Sequence, residues 1–401
     1  MVSETCDVLV VGGGPAGLRA AELTSAAGWK TVLVDHKASV GRKFLVAGRG
    51  GLNLTHSEAV ENFPARYGDS TQRWQKMLAA FSPDDLRAWA EGLGIETFIG
   101  TSGRIFPATK QAAPLLRRWV ERLRRQGVSF HSRHRLTAFR CLKTGGLEAD
   151  FITPQGSITQ KARAMILALG GASWPQTGSD GQWTQLFTKA GIAVTPLVAT
   201  NCGYEVDWPP PFLDQAEGMP LKNVVVTTGD YAVAGELLIT KYGLEGGALY
   251  QLGRRLRAMA QPRIEIDLKP AVTMEQLVAK IRDAKGGQIL DQAVRAWRLS
   301  QAVRALLELK TPFDSPEKLA QLAKAYPLSL LGPRPIEEAI STVGGVSWDE
   351  LDANLMLKRW PGIFCAGEMI DWDAPTGGYL LQGCFSTATQ AARGVREFLK
   401  E

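Results

Sequence analysis

A glycine-rich turn between two short apolar runs is the feature that most constrains this chain. The run Val8–Val11 leads into Gly12-Gly13-Gly14-Pro15-Ala16-Gly17, and the later run Thr31–Val34 ends at Asp35. Unbroken apolar runs of this length, bounded by turn signals, are typical of buried parallel strands. The sequence therefore predicts a strand, a helix from Pro15 to about Ala27, and a second strand that delivers an acid.

Three glycines of the turn have separate physical roles. Gly12 permits the tight turn, Gly14 lets a pyrophosphate approach the backbone, and Gly17 lets the helix pack closely on the strand. The free N–H groups and the positive dipole end of the helix favour the same phosphate. Asp35 lies roughly 20 residues beyond the last glycine, where an acid hydrogen-bonds a ribose hydroxyl. These features together predict a site for an adenine dinucleotide.

Segments far from the turn indicate which dinucleotide it is. A glycine-rich loop, 40–56, follows Asp35 where a nicotinamide-binding domain would continue into another crossover helix. Residues 362–371 read as a short strand ending in Ala-Gly-Glu, and 377–392 read as paired glycines followed by a helix of small residues. A third strand, 166–169, also runs into paired glycines. This combination resembles the glutathione-reductase-like FAD fold, in which the last segment completes the flavin site.

Further motifs in one order narrow the resemblance to a single family. Over nearly its whole length the chain resembles the YhiN/BaiN-type bacterial NAD(P)/FAD-dependent oxidoreductases. The motifs that carry the resemblance are Gly41-Arg42-Lys43, Gly103–Pro107, Gly170–Pro175, Gly235–Gly243, Gly344-Gly345-Val346 and the C-terminal block. The chain departs from the family's pattern at 47–53, at Lys241, at Leu380 and at Gly383-Cys384, near the expected flavin and substrate face. The resemblance therefore implies FAD and leaves the substrate open.

The candidate cofactor residues come from the turn, the resemblance and charge. The helix after Gly377-Gly378 is expected to aim its N-terminus at flavin N1, where reduced flavin carries negative charge. Glu368 is expected on the cofactor's sugar chain, and Arg42 and Lys43 on its pyrophosphate or flavin. The predicted FAD contacts are Gly12, Gly14, Pro15, Ala16, Gly17, Asp35, His36, Arg42, Lys43, Asn53, Leu136, Ala168, Gly170, Gly171, Gly367, Glu368, Gly377, Gly378, Tyr379 and Leu380.

Catalytic residues are not identified by the sequence, although three candidates stand out. The resemblance places Lys241 and Tyr242 on an inserted barrel facing the flavin, where Tyr242 would donate a proton to a carbonyl substrate and Lys241 would bind an anionic group. The alternative, a packing Tyr242 and a solvated Lys241, stays open. His56, which follows the glycine loop, is the third candidate. His131 and His134 are interpreted as exposed residues beside a cofactor edge.

Composition sets the outer limits. The chain has 401 residues, 45% of them hydrophobic, which is enough for two or three domains. No apolar run reaches the ~18 residues that span a bilayer, and Met1–Asp7 lacks the pattern of a secretion signal. The five cysteines are scattered, without redox-pair or metal-ligand spacing, so we expect reduced packing thiols, no metal and a cytoplasmic location away from membranes. They are Cys6, Cys141, Cys202, Cys365 and Cys384.

The formal net charge of +6 raises the question of a nucleic-acid partner. Part of the positive charge lies in Arg117–Arg125, where apolar residues recur at helical spacing. The arginines then occupy the opposite face, which is typical of an ordinary solvated helix. We therefore expect a small-molecule substrate rather than a nucleic acid.

The periodicities predict an α/β protein in which a Rossmann-like, glutathione-reductase-like FAD-binding domain carries an inserted β-barrel and a small helical domain. A three-stranded meander is predicted within 136–163, with Ala164–Leu169 returning to the main sheet. Short strands broken by Pro and Gly from Ile192 onward favour the barrel. The predicted domains are 1–193 and 348–401 for FAD binding, 194–272 for the barrel with a returning strand at 333–347, and 273–332 for the helices.

These observations predict an FAD-dependent oxidoreductase that transfers hydride at flavin N5 to or from a small organic substrate with a carbonyl or enone group. The alternative is a flavin-containing protein that binds nucleic acid or modifies RNA. NAD(P)H is retained as an electron donor. The sequence has no second G-x-G-x-x-G unit to bind it, so we expect it to dock only transiently, guided by Arg49 or Lys241.

Overall fold

The computed structural model describes residues 5–48, 50–68, 71–282 and 286–400. Its helices are α1 Pro15–Ala26, α2 Arg42–Ala47, α3 Thr71–Ala80, α4 Pro83–Gly92, α5 Ala112–Arg125, α6 Trp183–Lys189, α7 Pro210–Ala216, α8 Gly247–Arg257, α9 Met274–Arg282, α10 Ile289–Ala296, α11 Gln301–Glu308, α12 Pro316–Lys324 and α13 Tyr379–Phe398. Its strands are β1 Cys6–Val11, β2 Thr31–Asp35, β3 Thr55–His56, β4 Thr97–Ile99, β5 Arg104–Pro107, β6 Ser129–Ser132, β7 Arg135–Cys141, β8 Leu147–Thr153, β9 Gly156–Leu167, β10 Val194–Thr200, β11 Tyr204–Glu205, β12 Pro220–Thr228, β13 Tyr231–Thr240, β14 Gly243–Glu245, β15 Arg263–Asp267, β16 Tyr326–Ser329, β17 Gly332–Pro333, β18 Ser341–Val346 and β19 Ile363–Cys365. Short 3-10 segments lie at Val60–Tyr67, Pro175–Thr177, Trp348–Glu350 and Gly367–Met369.

The chain divides into two compact units. The first consists of Met1–Val198 and Ser341–Glu401, and the second is Ala199–Ile340. The second unit is therefore an insertion between two parts of the first.

A mostly parallel sheet forms the centre of the first unit. Its strand order is β6-β2-β1-β9-β8-β7, with β19 paired to β9. Strands β1 and β2 pair in parallel, as do β2 and β6, β1 and β9, and β9 and β19. The apolar runs Val8–Val11 and Ala164–Leu167 are buried on both faces, which explains why neither alternates with polar residues. The predicted Rossmann-like sheet is confirmed.

The meander differs from its prediction in one respect. Strands β7 and β8 pair antiparallel, and β8 pairs antiparallel with the first part of β9. The last part of β9 pairs with β1 and β19. The predicted third meander strand and the strand predicted to return to the main sheet are thus one continuous strand, because no turn residue interrupts the chain between Gly156 and Leu167.

Local sequence accounts for two helices of the first unit, α4, which begins after Ser82, and α5, which contains the helical spacing predicted at Arg117–Arg125. The helix start at Ser82 is a capping box, in which the Asp85 N–H donates to Ser82 Oγ at 3.1 Å and the Ser82 N–H donates to Asp85 Oδ2 at 2.8 Å. Helix α5 buries its apolar residues, including Leu115, Trp119 and Leu123. No helix in the described ranges is both long and apolar enough to cross a membrane.

A buried carboxylate ties α1 to α4 and α5. Glu22, which is 4% exposed, accepts hydrogen bonds from the indole N–H groups of Trp89 and Trp119 at 2.9 and 3.2 Å. It also accepts from Arg19 Nη1 at 3.1 Å and Arg122 Nη1 at 3.0 Å. One carboxylate thus serves two guanidinium groups, and the cluster carries an excess positive charge.

The second unit contains the predicted barrel. Its strands pair antiparallel in the order β16-β15-β12-β13-β14-β11-β17, and only Leu330 and Leu331 separate the two end strands in the chain. The Leu330 N–H donates to the Pro262 carbonyl at 2.9 Å, and the Leu331 N–H donates to the Glu205 carbonyl at 2.8 Å. The segment 326–333 therefore bonds to both ends of the strand path and closes it. Helices α9 to α12 share the barrel's apolar core.

Two predictions for this part of the chain need correction. The helical region was predicted to reach residue 332, but it ends at Lys324, and Tyr326–Ser329 is a barrel strand that includes Pro327, a residue unsuited to a helix interior. The strand predicted to return at 333–347 is β18, which pairs with β10 rather than with the barrel. Gly344 and Gly345 allow this placement, because a Cβ there would lie 2.2 Å from the Pro196 carbonyl oxygen and 2.4 Å from that of Met369.

The pairing of β10 with β18 predicts that the first unit survives without the insertion. Replacing residues 199–340 by a short Gly-Ser linker is expected to give a soluble protein that still binds FAD, since the chain ends at that junction belong to two paired strands. The measurement is flavin absorbance that co-elutes with the protein in gel filtration, with the full-length chain as control. Recovery of insoluble protein alone would show that the second unit is needed for the first to fold.

Candidate cofactor site

The glycine turn joins β1 to α1 with little space on its packed side. A Cβ on Gly12, which has φ +107°, would lie 2.2 Å from the Ala168 carbonyl oxygen, and one on Gly17 would lie 1.8 Å from the Gly12 carbonyl oxygen. The absence of a side chain at Gly12 lets the turn pack on the end of β9, and its absence at Gly17 lets α1 pack on the turn. The positive φ of Gly12 fits the tight turn that the sequence predicts there, and the contact at Gly17 is the predicted close packing of the helix.

The other side of the turn is open. A Cβ on Gly14 would meet nothing within 4 Å, and Gly14 lines a cavity together with Gly13, Pro15 and Ala16. Gly14 has an extended backbone, with φ −77° and ψ −177°, which any L-residue can adopt. The backbone conformation at this position therefore does not require glycine. The open space at the helix start fits a pyrophosphate group.

Asp35 holds the two loops that border this cavity. Its Oδ2 accepts a hydrogen bond from the Gly13 N–H at 2.7 Å, and its Oδ1 accepts one from the Lys37 N–H at 2.7 Å. Each carboxylate oxygen can accept a second hydrogen bond, so Asp35 remains able to bind a sugar hydroxyl. The predicted ribose residue therefore also orders the glycine turn.

Buried polar atoms without partners mark where a ligand would bind. His36 Nε2 and Ser179 Oγ are buried and have no hydrogen-bond partner among the described residues, and both residues line the cavity. Burial lowers the pKa of His36, so the ring is neutral near pH 7. Buried polar atoms are normally paired, and hydroxyl and phosphate groups of a dinucleotide would pair these. The residues present thus fit the adenosine and pyrophosphate parts of FAD.

A charged bridge lies at the opposite wall of the cavity. Lys43 Nζ donates to Ser173 Oγ at 2.5 Å and to Glu368 Oε2 at 3.0 Å, while Glu368 Oε1 accepts from the Thr342 N–H at 2.9 Å. Lys43 and Glu368 both line the cavity, as does the exposed Arg42. Lys43 lies in α2, a short helix within the segment 40–56 that the sequence predicts as a loop, and Glu368 lies in the 3-10 turn after β19. These contacts bring together the two segments that the sequence predicts on one cofactor.

Lys43 is expected to matter for cofactor affinity. Lys43→Met removes a positive charge that lines the cavity and leaves the Glu368 carboxylate without its ammonium partner. If Lys43 binds the pyrophosphate or flavin as predicted, we expect FAD affinity to fall about 10- to 100-fold, or about 1.4–2.7 kcal/mol. Fluorescence titration of the deflavinated protein measures the change. In the double variant Lys43→Met/Glu368→Gln the loss should be smaller, since the uncompensated carboxylate is gone; equal affinity in all three proteins would contradict this role.

A second recess continues from the first along the sheet. The two share Gly12, Asp35, His36, Leu169 and Gly178. The second recess is also lined by the predicted contact Leu136 and by His134, Arg135, Asp180 and Trp183. Its size and position fit the adenine end of the cofactor.

The segment 177–183 supplies site residues that the sequence analysis missed. Thr177, Gly178 and Ser179 line the first recess, while Asp180 and Trp183 line the second. Asp180 pairs with Arg135 at 3.0 Å, and the Trp183 indole N–H donates to the Gly170 carbonyl at 2.9 Å. The signal that could have found this segment is its run of small polar residues around two glycines.

The remaining cofactor candidates have mixed placements. Ala168, Gly170 and Gly367 line the first recess. Gly171 packs instead on Thr342: a Cβ added at Gly171 would lie 1.8 Å from Thr342 Oγ1. Asn53 lies outside both recesses, although its buried Oδ1 has no partner among the described residues.

The start of α13 lies beside β3 and lines neither recess. Gly378 caps the helix with φ +103°, and a Cβ there would lie 2.5 Å from the Thr55 backbone. Neither Gly377, Tyr379 nor Leu380 borders the two recesses. Their predicted contact with FAD stays a prediction about the flavin end of the cofactor.

A compact polar cluster covers this helix start. The Tyr379 hydroxyl donates to Glu58 Oε1 at 2.6 Å, and Arg66 pairs with the same carboxylate at 2.6 Å. His56 stacks on Tyr379 with ring centroids 5.4 Å apart. Its Nδ1 accepts from the Glu58 N–H at 3.0 Å, so its Nε2 carries the hydrogen donated to the Ser102 carbonyl at 3.0 Å. Both nitrogens of the candidate His56 are therefore already in use.

The other two catalytic candidates lie in the second unit. Lys241 is exposed in the turn between β13 and β14, next to Tyr242. The Arg334 guanidinium lies 4.2 Å from the centroid of the Tyr242 ring and pairs with Glu205 at 2.7 Å and Glu338 at 2.8 Å. Arg334 was not a candidate from sequence, because it lies far from this turn in the chain. Arg49, named above as a guide for NAD(P)H, falls outside the described residues.

The thiols nearest the site are protonated packing residues. Cys384 lines the first recess, and burial raises its pKa to about 12. Cys365 is fully buried, and burial raises its pKa as well. Among the described residues, no group of three or more His, Cys, Asp or Glu side chains could hold a metal ion.

Comparison with known proteins places this geometry in a family. The model of the HI0933-like protein Rossmann domain matches residues 6–394. The chain belongs to this family. The match confirms the resemblance drawn from the motifs, and with the cavity described above it identifies an FAD-dependent oxidoreductase.

Two curated relatives match over nearly their whole lengths. The ribosomal RNA dihydrouridine synthase of Escherichia coli is 26% identical over 408 residues, which cover 98% of each chain. The 3-dehydro-bile acid delta(4,6)-reductase of Clostridium scindens is 25% identical over 412 residues, which cover 97% of this chain and 98% of that one.

Solved structures share the fold at low sequence identity. A flavocytochrome c3 fumarate reductase has a TM-score of 0.51 at 14% identity, and the match covers 100% of this chain and 79% of the fumarate reductase chain. The 3-ketosteroid delta1-dehydrogenase of Sterolibacterium denitrificans has a TM-score of 0.54 at 10% identity, covering 100% of both chains. At these identities the likeness concerns the fold alone.

Proposed function

We propose that this protein reduces a carbon–carbon double bond conjugated to a carbonyl group in a small organic substrate. The observation that carries the proposal is that two relatives with unlike substrates have names describing one reaction, the addition of two hydrogens across such a bond. The FAD-type cavity supports it, because flavin is the cofactor suited to this chemistry.

When bound, FAD would supply the hydride chemistry at N5: reduced flavin would be the two-electron donor for one carbon of the double bond, and the other carbon would receive a proton. The chain's own residues bind and orient the cofactor through the open face at Gly14, the Asp35 carboxylate and the bridge between Lys43 and Glu368. Helix α13 has 20 residues and no side-chain cap among the described residues, and we propose that its first N–H groups stabilise negative charge on the flavin. Tyr242 is the proposed proton donor and Lys241 the proposed anion-binding residue, whereas His56 has no free ring nitrogen.

The test is the reoxidation of photoreduced protein under anaerobic conditions. We expect cyclohexenone and a 3-oxo-4-ene steroid to restore the oxidised flavin spectrum, whereas cyclohexanone and cyclohexene, which lack the conjugated pair, should not. Quinones and oxygen serve as general acceptors that report a competent flavin. Reoxidation by quinones but by none of the enones would contradict the proposal.

A second candidate substrate is uridine in RNA, since two relatives are named ribosomal RNA dihydrouridine synthases and this chain carries a formal charge of +6. Uracil contains the same conjugated arrangement, so the reaction class is unchanged. Reoxidation by oligouridylate but not by oligoadenylate, together with retention on heparin to high salt, would favour RNA over a small molecule.

NADH and NADPH are expected to reduce the bound flavin slowly. The chain has one strand–glycine–helix dinucleotide unit, at Gly12–Gly17, and the FAD-type cavity lies on it. A nicotinamide cofactor would therefore lack a dedicated binding unit and dock only transiently. Anaerobic stopped-flow mixing measures the rate; flavin bleaching at tens per second or faster, on the usual scale of enzymes, with saturation at micromolar nicotinamide would contradict this expectation.

A further inference from the structure

A second cleft lies in the first unit, at the end of α1 away from the cofactor. Helix α1 begins at the cofactor cavity with Pro15 and Ala16, and its later residues Leu23 and Thr24, with Ala27 just after its end, line this cleft. The other walls come from the end of α3, from α4 and from the second half of α13. At a rise of about 1.5 Å per residue, the residues of this segment that line the cleft, from Arg19 to Ala27, lie roughly 6–18 Å from Pro15 along the helix axis.

The charged groups of the cleft are mostly cationic. Arg19, Arg393 and Arg396 line it, with Asp85 as the one carboxylate in the lining. Asp85 already accepts from the N–H and the hydroxyl of Ser82, both at 2.8 Å. Arg396 has no hydrogen-bond or ion-pair partner among the described residues. The side chains that line the cleft therefore carry a net positive charge.

Arg19 brings buried positive charge to the cleft floor. Its side chain is 10% exposed and lies against the Phe81 ring at 4.5 Å. It shares the single carboxylate of Glu22 with Arg122, and burial, together with the positive charge of Arg122, lowers its pKa. A buried charge that is only partly compensated is costly, so an anion at this floor would be favoured.

An unpaired donor points to the same kind of ligand. The Trp29 indole nitrogen is buried without a partner among the described residues, and Trp29 lines the cleft. Indole and guanidinium groups donate hydrogen bonds and accept none. The apolar wall formed by Leu23, Ala27 and Ala392 offers contact to a hydrocarbon body.

We propose that this cleft binds a small organic anion, with its carboxylate or phosphate group at Arg19, Arg396 and Trp29 and its apolar body against the wall. The site is distinct from the cofactor cavity and does not depend on the proposed reaction.

Isothermal titration of the FAD-loaded protein tests the proposal. Benzoate and phenyl phosphate are the probes, and benzyl alcohol is the neutral counterpart of similar shape. We expect both anions to bind at least tenfold more tightly than benzyl alcohol, in moderate sodium chloride that screens exposed charges. Comparing the two anions decides between a carboxylate and a phosphate ligand.

Two variants locate the site. Arg396→Gln, at an exposed position, should weaken benzoate binding about tenfold, and Trp29→Phe, which keeps an aromatic ring but removes the N–H, should weaken it several-fold. Arg125→Gln, an exposed arginine on α5 outside the cleft, is the matched control and should bind as the unaltered protein does. Flavin absorbance should be the same in all three, since none contacts the cofactor cavity. Equal binding of benzoate and benzyl alcohol, or benzoate binding unaffected by Arg396→Gln, would overturn the proposal.

Discussion

Gly14→Glu is expected to give a folded protein that is colourless and cannot be reconstituted with FAD. The Gly14 backbone is extended, and a Cβ there meets nothing within 4 Å, so the fold itself tolerates a side chain. A glutamate would fill the space at the start of α1 and place negative charge where the pyrophosphate binds. We expect a loss of at least 1000-fold in affinity, about 4 kcal/mol, measured by flavin absorbance and by calorimetric titration with FAD.

Two neighbouring substitutions separate a binding effect from a folding effect. Gly14→Ala adds only a methyl group to open space and should retain most of the flavin. Gly12→Ala places a methyl group 2.2 Å from the Ala168 carbonyl at φ +107°, so it should destabilise the first unit itself. A yellow Gly14→Glu protein would show that the cofactor does not bind at this turn.

Glu22→Gln should cause the largest loss of stability among single substitutions that leave the cofactor contacts untouched. The change removes the carboxylate shared by the buried Arg19 and the half-buried Arg122 and leaves both guanidinium charges without it. Breaking a buried ion pair on one side costs about 3–5 kcal/mol. We therefore expect the thermal transition of the first unit to fall by about 10 °C.

Glu121→Gln is the matched control, because Glu121 is exposed on α5 next to Arg122 and should change stability by no more than about 0.5 kcal/mol. Differential scanning calorimetry at pH 7 measures both variants. A Glu22→Gln protein as stable as this control would mean that the two arginines are neutralised in another way.

The parts of the fold that could be predicted are those in which local pattern and tertiary role coincide. Strands β1 and β2 are short apolar runs buried on both faces. In the turn between β1 and α1, Gly12 has a positive φ and Gly17 a close backbone contact that favour glycine. The capping box at Ser82 and the amphipathic face of α5 are equally local. Each of these features depends on residues that are close together in the sequence.

The errors arose where a segment's partner is distant in the chain. Tyr326–Ser329 follows four helices, and although Pro327 is a local signal against a helix interior, it is the pairing with β15 that makes the segment a strand. In the same way, β18 joins β10 because Gly344 and Gly345 let it approach two other backbones. Hydrophobic periodicity reports which face of an element is buried and does not report which element covers it.

The sequence by itself determined the cofactor class, because the dinucleotide turn, its acid and the C-terminal strand are short motifs whose order is readable. Only the tertiary structure decided that Lys43 meets Glu368 across the cavity, that both nitrogens of His56 are occupied, and that Glu22 serves two arginines. Such contacts join side chains brought together by separate elements. Their geometry depends on how the sheet and helices pack, which no local pattern contains.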